Sequence, residues 1–260
     1  MPEKSSRVSP VVDFHTYVGR DAYGDHAQTA DGLIESLDRY QIDAAVVAPM
    51  LDVPGPDNRA HDTVLAAASR YPRRLIPFAR LDPRYGEIAR RELESCLSDD
   101  GFRGVLFNPV TTQSLCYHDG VLPIMKSAAE HGVPVLVVTG NHYVGLPEHV
   151  GLLASRVPAL RIVIGHMGTA AHALRAVTVA ERHDNVYLET SLQQSPFRLP
   201  FAVARLGEER VLFGSAAPYS HQRAELTKIE VAGLSGEAKR QVLGGNASRL
   251  LDLQLNGRTP

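Results

Sequence analysis

Eight short apolar runs recur along the chain at nearly even intervals, and this repeat limits the fold more than any other feature. Their starts are separated by roughly 25 to 32 residues, the length of one strand–helix–strand unit. The runs are almost continuously apolar, which is typical of strands buried on both faces of a parallel sheet. The eight runs are Val11–Phe14, Asp43–Ala48, Leu75–Ala79, Gly104–Phe107, Val133–Thr139, Arg161–Gly165, Val186–Glu189 and Val211–Phe213.

Helical patterns occupy the gaps between these runs. In one gap, Val121, Ile124, Met125 and Ala128 follow the i, i+3, i+4, i+7 spacing of a helix with one apolar face. Gly132 follows where this helix should end before the next strand, as a C-terminal glycine commonly does. The alternation of strand and helix therefore predicts parallel strands connected by helical crossovers.

Eight such units use up the whole chain. Right-handed crossovers leave few ways to arrange them, so we predict an α/β fold, a (β/α)8 TIM barrel. Residues 1–260 are expected to form this single domain, with residues 1–10 as a polar N-terminal tail. A doubly wound open sheet is the alternative, but no G-x-G-x-x-G glycine pattern follows the first run.

Composition excludes several classes of protein. The formal net charge of -2 gives no basic excess for binding nucleic acid. No run reaches the ~18 apolar residues of a membrane span, and residues 1–10 lack the apolar segment of a signal peptide. A cytoplasmic protein with no membrane partner is expected. The two cysteines, Cys96 and Cys116, form no C-x-x-C pair and predict neither a zinc clip nor a disulfide framework.

Polar residues at the C-terminal ends of the runs are the candidates for a site, because barrel enzymes place their active sites there. His15 and His166 follow the first and sixth runs, and an imidazole can act as an acid or a base near neutral pH. Tyr17 and Asn108 could stabilise an oxyanion or an enolate. We therefore predict a catalytic set of His15, Tyr17, Asn108 and His166.

Further polar side chains at the same end are predicted to bind substrate. They are Thr139, Asn141, His142, Glu189, Ser215, Tyr219 and His221. The turn from Gly165 to Thr169 is open to two interpretations, an anion site at a helix N-terminus or a plain tight turn. No G-x-S-x-G elbow and no phosphate-binding P-loop occur, which argues against serine-triad hydrolysis and nucleotide-driven chemistry.

Several short motifs together resemble the amidohydrolase-related family of metal-dependent barrels, in its decarboxylase- and lactonase-like branch. The resemblance extends from Val11 to Leu253, and it implies a barrel enzyme that acts on small acids or lactones. The matching segments are Val12–His15, Pro77–Pro83, Gly101–Val105, Pro134–Leu136, Ile164–Gly168, Leu212–Ser215 and Gly245–Leu251.

This chain departs from the metal ligands that the resemblance implies. The resemblance implies a His-x-His pair after the first strand, a ligand or lysine on the fourth and fifth strands and an aspartate on the eighth. This chain has other residues at most of these positions. The replacing residues are Tyr17, Leu106, Asn108, Val138 and Ala216. His15 and His166 alone remain, whereas a catalytic zinc normally has about three protein ligands. We therefore expect no metal and no other cofactor.

Three functions are compatible with this set. The first is metal-independent acid–base chemistry on a small carbonyl- or carboxylate-bearing substrate: lactone hydrolysis, decarboxylation, isomerisation or cyclisation. The second is a non-catalytic pseudoenzyme that acts as a binding or partner subunit. The third is a metal-dependent hydrolase with ligands rearranged onto Asn108, His142 or His221. Whichever function holds, the assembly is left open between a homodimer and a hetero-oligomer with a homologous subunit. A lid role for residues 50–58 is left open.

Overall fold

The predicted strands lie side by side around one barrel. The computed structural model describes residues 9–21, 25–50, 59–140 and 142–255. Within these ranges the strands are β1 Val12–Arg20, β2 Ala27–Gln28, β3 Ala44–Pro49, β4 Leu75–Pro77, β5 Ala79–Arg80, β6 Val105–Phe107, β7 Val135–Val138, β8 Ile162–Gly165, β9 Val186–Glu189 and β10 Val211–Leu212.

The pairing of the strands is parallel except at one short strand. β1, β3 and β4 pair in that order, and β5 to β10 pair in chain order. Phe78 separates β4 from β5, but its backbone N–H donates to Val47 O at 2.9 Å, so the two segments act as one barrel strand. Among the described strands, β2 alone is antiparallel, paired with the end of β1. The (β/α)8 barrel predicted from the eight runs is confirmed.

Backbone hydrogen bonds join the first strand to the last and close the barrel. The N–H of Phe14 donates to Phe213 O at 2.9 Å, and the N–H of Tyr17 donates to Ala217 O at 2.9 Å. In the opposite direction, the N–H of Ala216 donates to His15 O at 2.7 Å. Because the seam lies beside His15 and Tyr17, the closure of the barrel also aligns two residues of the predicted site.

Helices surround the strands and bury one face against them. The helical face predicted around Met125 is confirmed, with Ile124, Met125 and Ala128 buried and Val121 at the N-cap. The helices are α1 Ala30–Arg39, α2 Arg59–Arg70, α3 Glu87–Ser98, α4 Pro109–Thr112, α5 Leu122–Glu130, α6 Pro147–Arg156, α7 Thr169–Arg182, α8 Arg198–Leu206, α9 Gln222–Val231, α10 Gly236–Arg240 and α11 Asn246–Leu250.

The apolar core has two parts, one inside the barrel and one between the strands and the helices. The rings of Phe14 and Phe78 meet edge to face inside the barrel, with centroids 5.6 Å apart. Gly104 lies against this pair, since a Cβ there would come within 2.3 Å of the Phe78 ring. The filled interior leaves the C-terminal ends of the strands as the place for chemistry.

The structure differs from the sequence-based strands in two places. β1 continues to Arg20, whereas the apolar run ended at Phe14, because pairing with β3 persists to Val18 opposite Pro49. The strand β2 was not predicted, since two residues carry too little pattern to be found.

Three parts of the chain for which predictions were made lie outside the described residues. They are residues 51–58 of the suggested lid, residues 1–8 of the tail and Asn141. The described helices include none with the length and apolar character needed to cross a bilayer.

Candidate active site

Three side chains form a continuous hydrogen-bonded chain at the C-terminal end of the barrel. Nδ1 of His15 lies 2.9 Å from Oε2 of Glu189, and Nε2 of the same ring lies 2.7 Å from the Tyr17 hydroxyl. His15 and Glu189 are completely buried, and Tyr17 is 5% exposed. β1 supplies His15 and Tyr17 with a period of two, and β9 ends at Glu189. An ionised Glu189 keeps a proton on Nδ1, so Nε2 is the nitrogen that exchanges a proton with Tyr17.

The carboxylate of Glu189 is held by several donors besides His15. It accepts from Ser191 Oγ at 2.8 Å, from the His166 N–H at 3.2 Å and from the Ser191 N–H. Burial by itself would raise the pKa of Glu189, but hydrogen bonding and charge from His15 outweigh it and lower the pKa to about 2. Glu189 is therefore a carboxylate at neutral pH, fixed in one orientation.

His166 stacks on His15 and is neutral. The two ring centroids lie 5.0 Å apart with 19° between the planes, and Nδ1 of His166 lies 2.7 Å from Ser191 Oγ. Burial lowers the pKa of His166 to about 4, and the adjacent His15 acts in the same direction. A neutral imidazole at this position can accept or donate a hydrogen bond without adding positive charge to the site.

Tyr17 joins the His15–Glu189 pair to the rest of the barrel mouth. Burial holds the pKa of its hydroxyl above the ordinary tyrosine value, while the positive charge of Arg80 opposes this effect. The ring of Tyr219 meets that of Tyr17 edge to face, with centroids 5.3 Å apart. Tyr17 is therefore a protonated phenol at neutral pH, hydrogen-bonded to an imidazole and under the influence of a buried positive charge.

Asp13 braces the seam below these residues. Its carboxylate accepts from the Ser215 hydroxyl at 2.6 Å, from the Ser215 N–H at 2.8 Å and from Gln222 Nε2 at 3.1 Å. Complete burial raises the pKa of Asp13 to about 6, although these hydrogen bonds act in the opposite direction. The contacts couple the start of β1 to the segment after β10.

Three of the turns that surround the site contain non-glycine residues in the left-handed region. The φ angles are 62° at His166, 55° at Leu192 and 56° at Ala216. Such conformations are costly for residues with a Cβ and concentrate at functional sites. The backbone strain at three strand ends supports the location of the site at this end of the barrel.

The structure gives local contacts to the other residues predicted from the sequence. Asn108, His142 and His221 each cap a helical turn through a side-chain acceptor. The Thr139 hydroxyl donates to Gly165 O at 2.6 Å and ties β7 to β8, while Ser215 binds Asp13. Catalysis by Asn108, and substrate binding by His142, His221, Thr139 and Ser215, stay predictions, since these contacts leave their roles open.

Sequence reasoning missed two polar residues at the site. Ser191 bridges His166 and Glu189 through its hydroxyl, and the positive charge of the buried Arg80 acts on the Tyr17 hydroxyl. Arg80 stands inside the Pro77–Pro83 motif that was used only as a sign of ancestry. Its position at the end of the third barrel strand is the signal that could have identified it.

Comparison with known proteins identifies the ancestry of this barrel. The profile of the family described as Amidohydrolase matches residues 12–253. The chain belongs to the amidohydrolase family. The match covers every described strand and includes His15, His166 and Glu189 of this chain.

Similar proteins include aromatic-acid decarboxylases. The gamma-resorcylate decarboxylase of Polaromonas sp. strain JS666 is 23% identical over 86% of this chain and 87% of the relative. The crystal structure of the 5-carboxyvanillate decarboxylase of Sphingomonas paucimobilis has a TM-score of 0.75, at 18% identity over 94% of this chain and 99% of the other. A dihydroxybenzoic acid decarboxylase from Polaromonas sp. JS666 has a TM-score of 0.74, at 18% identity over 95% of this chain and 98% of the other, and contains manganese and the inhibitor 2-nitroresorcinol.

Because that related structure contains manganese, the question is whether the residues of this chain offer what a bound metal ion needs. His15, His166 and Glu189 each bring one possible ligand atom within 4.8 Å of the others. Both ring nitrogens of His15 and both oxygens of Glu189 are, however, used in hydrogen bonds, and Tyr17 occupies the Nε2 side of His15. The eighth strand offers Ala216 and no carboxylate. This donor set does not fit a resident catalytic ion. The manganese in the related structure does not support a metal-independent site in this chain. Metal-independent chemistry therefore stays a prediction.

Proposed function

We propose that this protein decarboxylates a small aromatic carboxylic acid by acid–base chemistry without a metal ion. The observation that carries the proposal is the Glu189–His15–Tyr17 chain, with its 2.9 Å and 2.7 Å hydrogen bonds. Aromatic-acid decarboxylases among the relatives support the substrate class. The same chain of residues could serve other acid–base reactions, but the relatives favour loss of carbon dioxide.

The reaction requires one proton to be delivered to the substrate. Tyr17 Oη gives its proton to the ring carbon that bears the carboxylate, and a C–H bond forms there. The bond between that carbon and the carboxylate then breaks, its electron pair restores the aromatic ring, and carbon dioxide leaves. His15 begins this step with a proton on each ring nitrogen, and Nε2 passes its proton to Tyr17 Oη as Tyr17 gives its own proton to the ring carbon. A proton from solvent then returns to Nε2.

Glu189 makes this transfer possible by fixing the imidazole. Its carboxylate accepts from Nδ1, which sets the tautomer and ring orientation of His15 and stabilises positive charge when His15 holds two protons. General acid–base assistance of this kind contributes typically ~10²- to 10⁴-fold to a rate. Tyr17 is the proton donor to substrate, His15 is its proton source, and Glu189 is a positioning residue.

His166 contributes a neutral surface next to the Glu189–His15–Tyr17 hydrogen-bond chain, called the relay below. Because its pKa is lowered to about 4, it adds no positive charge to compete with the proton on His15. Its stacking on His15 at 5.0 Å restricts the imidazole to one plane. The ring therefore keeps His15 aligned with Tyr17 while a substrate ring occupies the mouth.

We propose a reaction without a metal because the atoms that could bind an ion are already used in hydrogen bonds. An ion bound by His15 Nε2 would have to displace the Tyr17 hydroxyl, and an ion on Glu189 would have to break its bonds to His15 and Ser191. Two imidazoles without a free carboxylate also leave the charge of a divalent ion poorly compensated.

The test is decarboxylation of gamma-resorcylate and 5-carboxyvanillate by purified protein after exhaustive treatment with a chelator. We expect carbon dioxide release that is unchanged by added manganese, and a loss of ~10²-fold or more in Tyr17→Phe. Tyr40→Phe, a tyrosine that contacts His221 and not the relay, is the matched control.

Three outcomes contradict the proposal. Activity that appears only with manganese would return the site to metal chemistry with rearranged ligands. No turnover of either acid, with stable co-purification of a homologous subunit, would favour the pseudoenzyme reading. Equal rates for Tyr17→Phe and the wild type would remove the relay from the mechanism.

A further inference from the structure

Arg80 is a buried cation at the active-site end of the barrel that the relay does not use. It ends β5, and the residue is only 4% exposed. Its Nη1 donates to Pro49 O at 3.1 Å, and its Nη2 donates to Thr111 Oγ1 at 3.0 Å. These two bonds hold the guanidinium between the end of β3 and the short helix α4 that follows β6, at the C-terminal end of the barrel.

The strand register relates the backbone group that holds this guanidinium to the strand of Tyr17. Tyr17 pairs with Ala48 and Val18 pairs with Pro49, so the carbonyl bound by Arg80 belongs to the strand beside the relay. The positive charge of Arg80 also lowers the pKa of the Tyr17 hydroxyl against the effect of burial. Geometry and charge therefore both place Arg80 at the end of the barrel that holds Tyr17.

A second group of buried residues fixes the backbone of Arg80. The N–H of Arg80 donates to Nε2 of His61 at 3.0 Å, and Nδ1 of His61 lies 2.7 Å from Glu92 Oε1. Since Nε2 accepts, Nδ1 carries the proton and donates it to Glu92. His61 and Glu92, together with Cys96, have the spacing of a metal site. Their hydrogen bonds instead assign them to holding β5 in place.

We propose that Arg80 binds the carboxylate of the substrate and that His61 is its positioning residue. The planar guanidinium donates parallel hydrogen bonds that match a carboxylate, which makes arginine the preferred partner for this group. In this arrangement Arg80 orients the carboxylate of an aromatic acid so that its ipso carbon faces Tyr17 Oη. This assignment rests on the proposed decarboxylation for its role, but anion binding by Arg80 can be measured without turnover.

The test compares binding of benzoate and of its neutral analogue benzamide by calorimetry, a method that suits a chain without tryptophan. Wild-type protein should bind benzoate more tightly than benzamide. Arg80→Gln should weaken benzoate binding at least ~10-fold and leave benzamide unchanged, since only the anion needs the charge. Arg84→Gln, which removes a half-exposed arginine paired with Asp82, is the control and should bind both as the wild type does.

Two further variants keep the test decisive. If Arg80→Gln does not fold, Arg80→Lys retains the charge but loses the planar fork, and benzoate binding should still weaken several-fold. His61→Leu removes the acceptor for the Arg80 N–H and should weaken benzoate binding, whereas His61→Gln, which can still accept there, should restore most of it. A purely structural His61 would lower thermal stability in His61→Leu without changing the preference for benzoate over benzamide.

Failure of this inference differs from failure of the proposed function. Wild-type protein that does not prefer benzoate, or a folded Arg80 variant that binds benzoate as tightly as the wild type, overturns the role of Arg80. If Arg80→Gln decarboxylates gamma-resorcylate with an unchanged KM, the proposed function stands and this inference falls. If benzoate preference depends on Arg80 but neither aromatic acid is decarboxylated, the anion site stands and the proposed function falls.

Discussion

Gly214 lies directly against the carboxylate of Glu189. A Cβ at position 214 would come within 2.3 Å of Oε1, a distance that no real side chain tolerates. The glycine at the end of the last strand is therefore what allows Glu189 to reach His15 from the neighbouring strand β9. The absence of a side chain at Gly214 therefore sets the geometry of the Glu189–His15–Tyr17 relay.

Gly214→Ala should consequently damage the site more than the fold. The added methyl group displaces the Glu189 carboxylate, so we expect a rate loss of ~10²-fold or more and a destabilisation of about 1–3 kcal/mol. Decarboxylation rates and urea unfolding measure the two effects. Gly120→Ala, at an exposed glycine with no contact closer than 3.7 Å, is the control and should change neither. Wild-type activity in Gly214→Ala would contradict the role given to Glu189.

Glu189→Gln tests the charge of the same group. The amide keeps the size of the side chain but can present an N–H to His15, which favours the wrong tautomer. The rate should fall ~10²- to 10⁴-fold with little change in KM. NMR of the His15 ring nitrogens should show the proton leaving Nδ1. Glu148→Gln, in an exposed ion pair with Arg175, should be indistinguishable from the wild type.

His166 should make the protein sensitive to acid. Its folded pKa of about 4 lies below the ordinary 6.5, so the unfolded chain binds its proton first as the pH falls. The contribution of His166 to the free energy of unfolding is complete above about pH 6.5. It is lost as the pH falls towards 4, by up to about 3 kcal/mol. His15, Glu189 and Lys228 are the charged groups acting on this ring.

Asp13 acts with the opposite sign in nearly the same range. Its pKa is raised from 3.8 to about 6. The contribution of Asp13 to the free energy of unfolding is therefore complete below about pH 3.8 and is lost as the pH rises through 6. Urea unfolding between pH 7 and 4 should therefore show a steeper gain on acidification in His166→Gln than in the wild type. His118→Gln, at an exposed histidine, should follow the wild-type curve. Parallel curves for His166→Gln and the wild type would show that His166 titrates normally.

Both thiols should be unreactive in the folded protein. Cys116 is 1% exposed and burial raises its pKa to about 12, while burial and Glu92 raise the pKa of Cys96. A thiolate is the reactive form, so Ellman's reagent at pH 8 should find no accessible thiol until the chain is unfolded. Two equivalents should then react. Rapid modification of either cysteine in the native protein would contradict its packing.

The fold could be predicted because its signal is repeated eight times. Each apolar run is weak, but even spacing and intervening helical faces leave few arrangements other than a barrel. The extent of β1 could not be predicted from apolarity, because His15 and Tyr17 are polar residues that continue the strand into the site. Hydrogen bonding to the partner strand decided that boundary.

The candidate site was predictable in its positions and not in its contacts. His15, Tyr17, His166 and Glu189 follow from the ends of strands, since those ends meet at one face of the barrel. That Glu189 binds His15 while Asn108 caps a helix depends on side-chain directions that a sequence does not contain. Arg80 was overlooked because a strand-end arginine has no fixed partner in the sequence.

The seam between the first and last strands has a consequence for synthesis of the protein. Asp13 and Ser215 are separated by 202 positions, yet their hydrogen bond closes the wall behind His15. Contacts of such separation form late and slowly. A growing chain that already carries His15, Tyr17 and Glu189 has all the parts of the relay, but it must wait for the final strand before they are aligned.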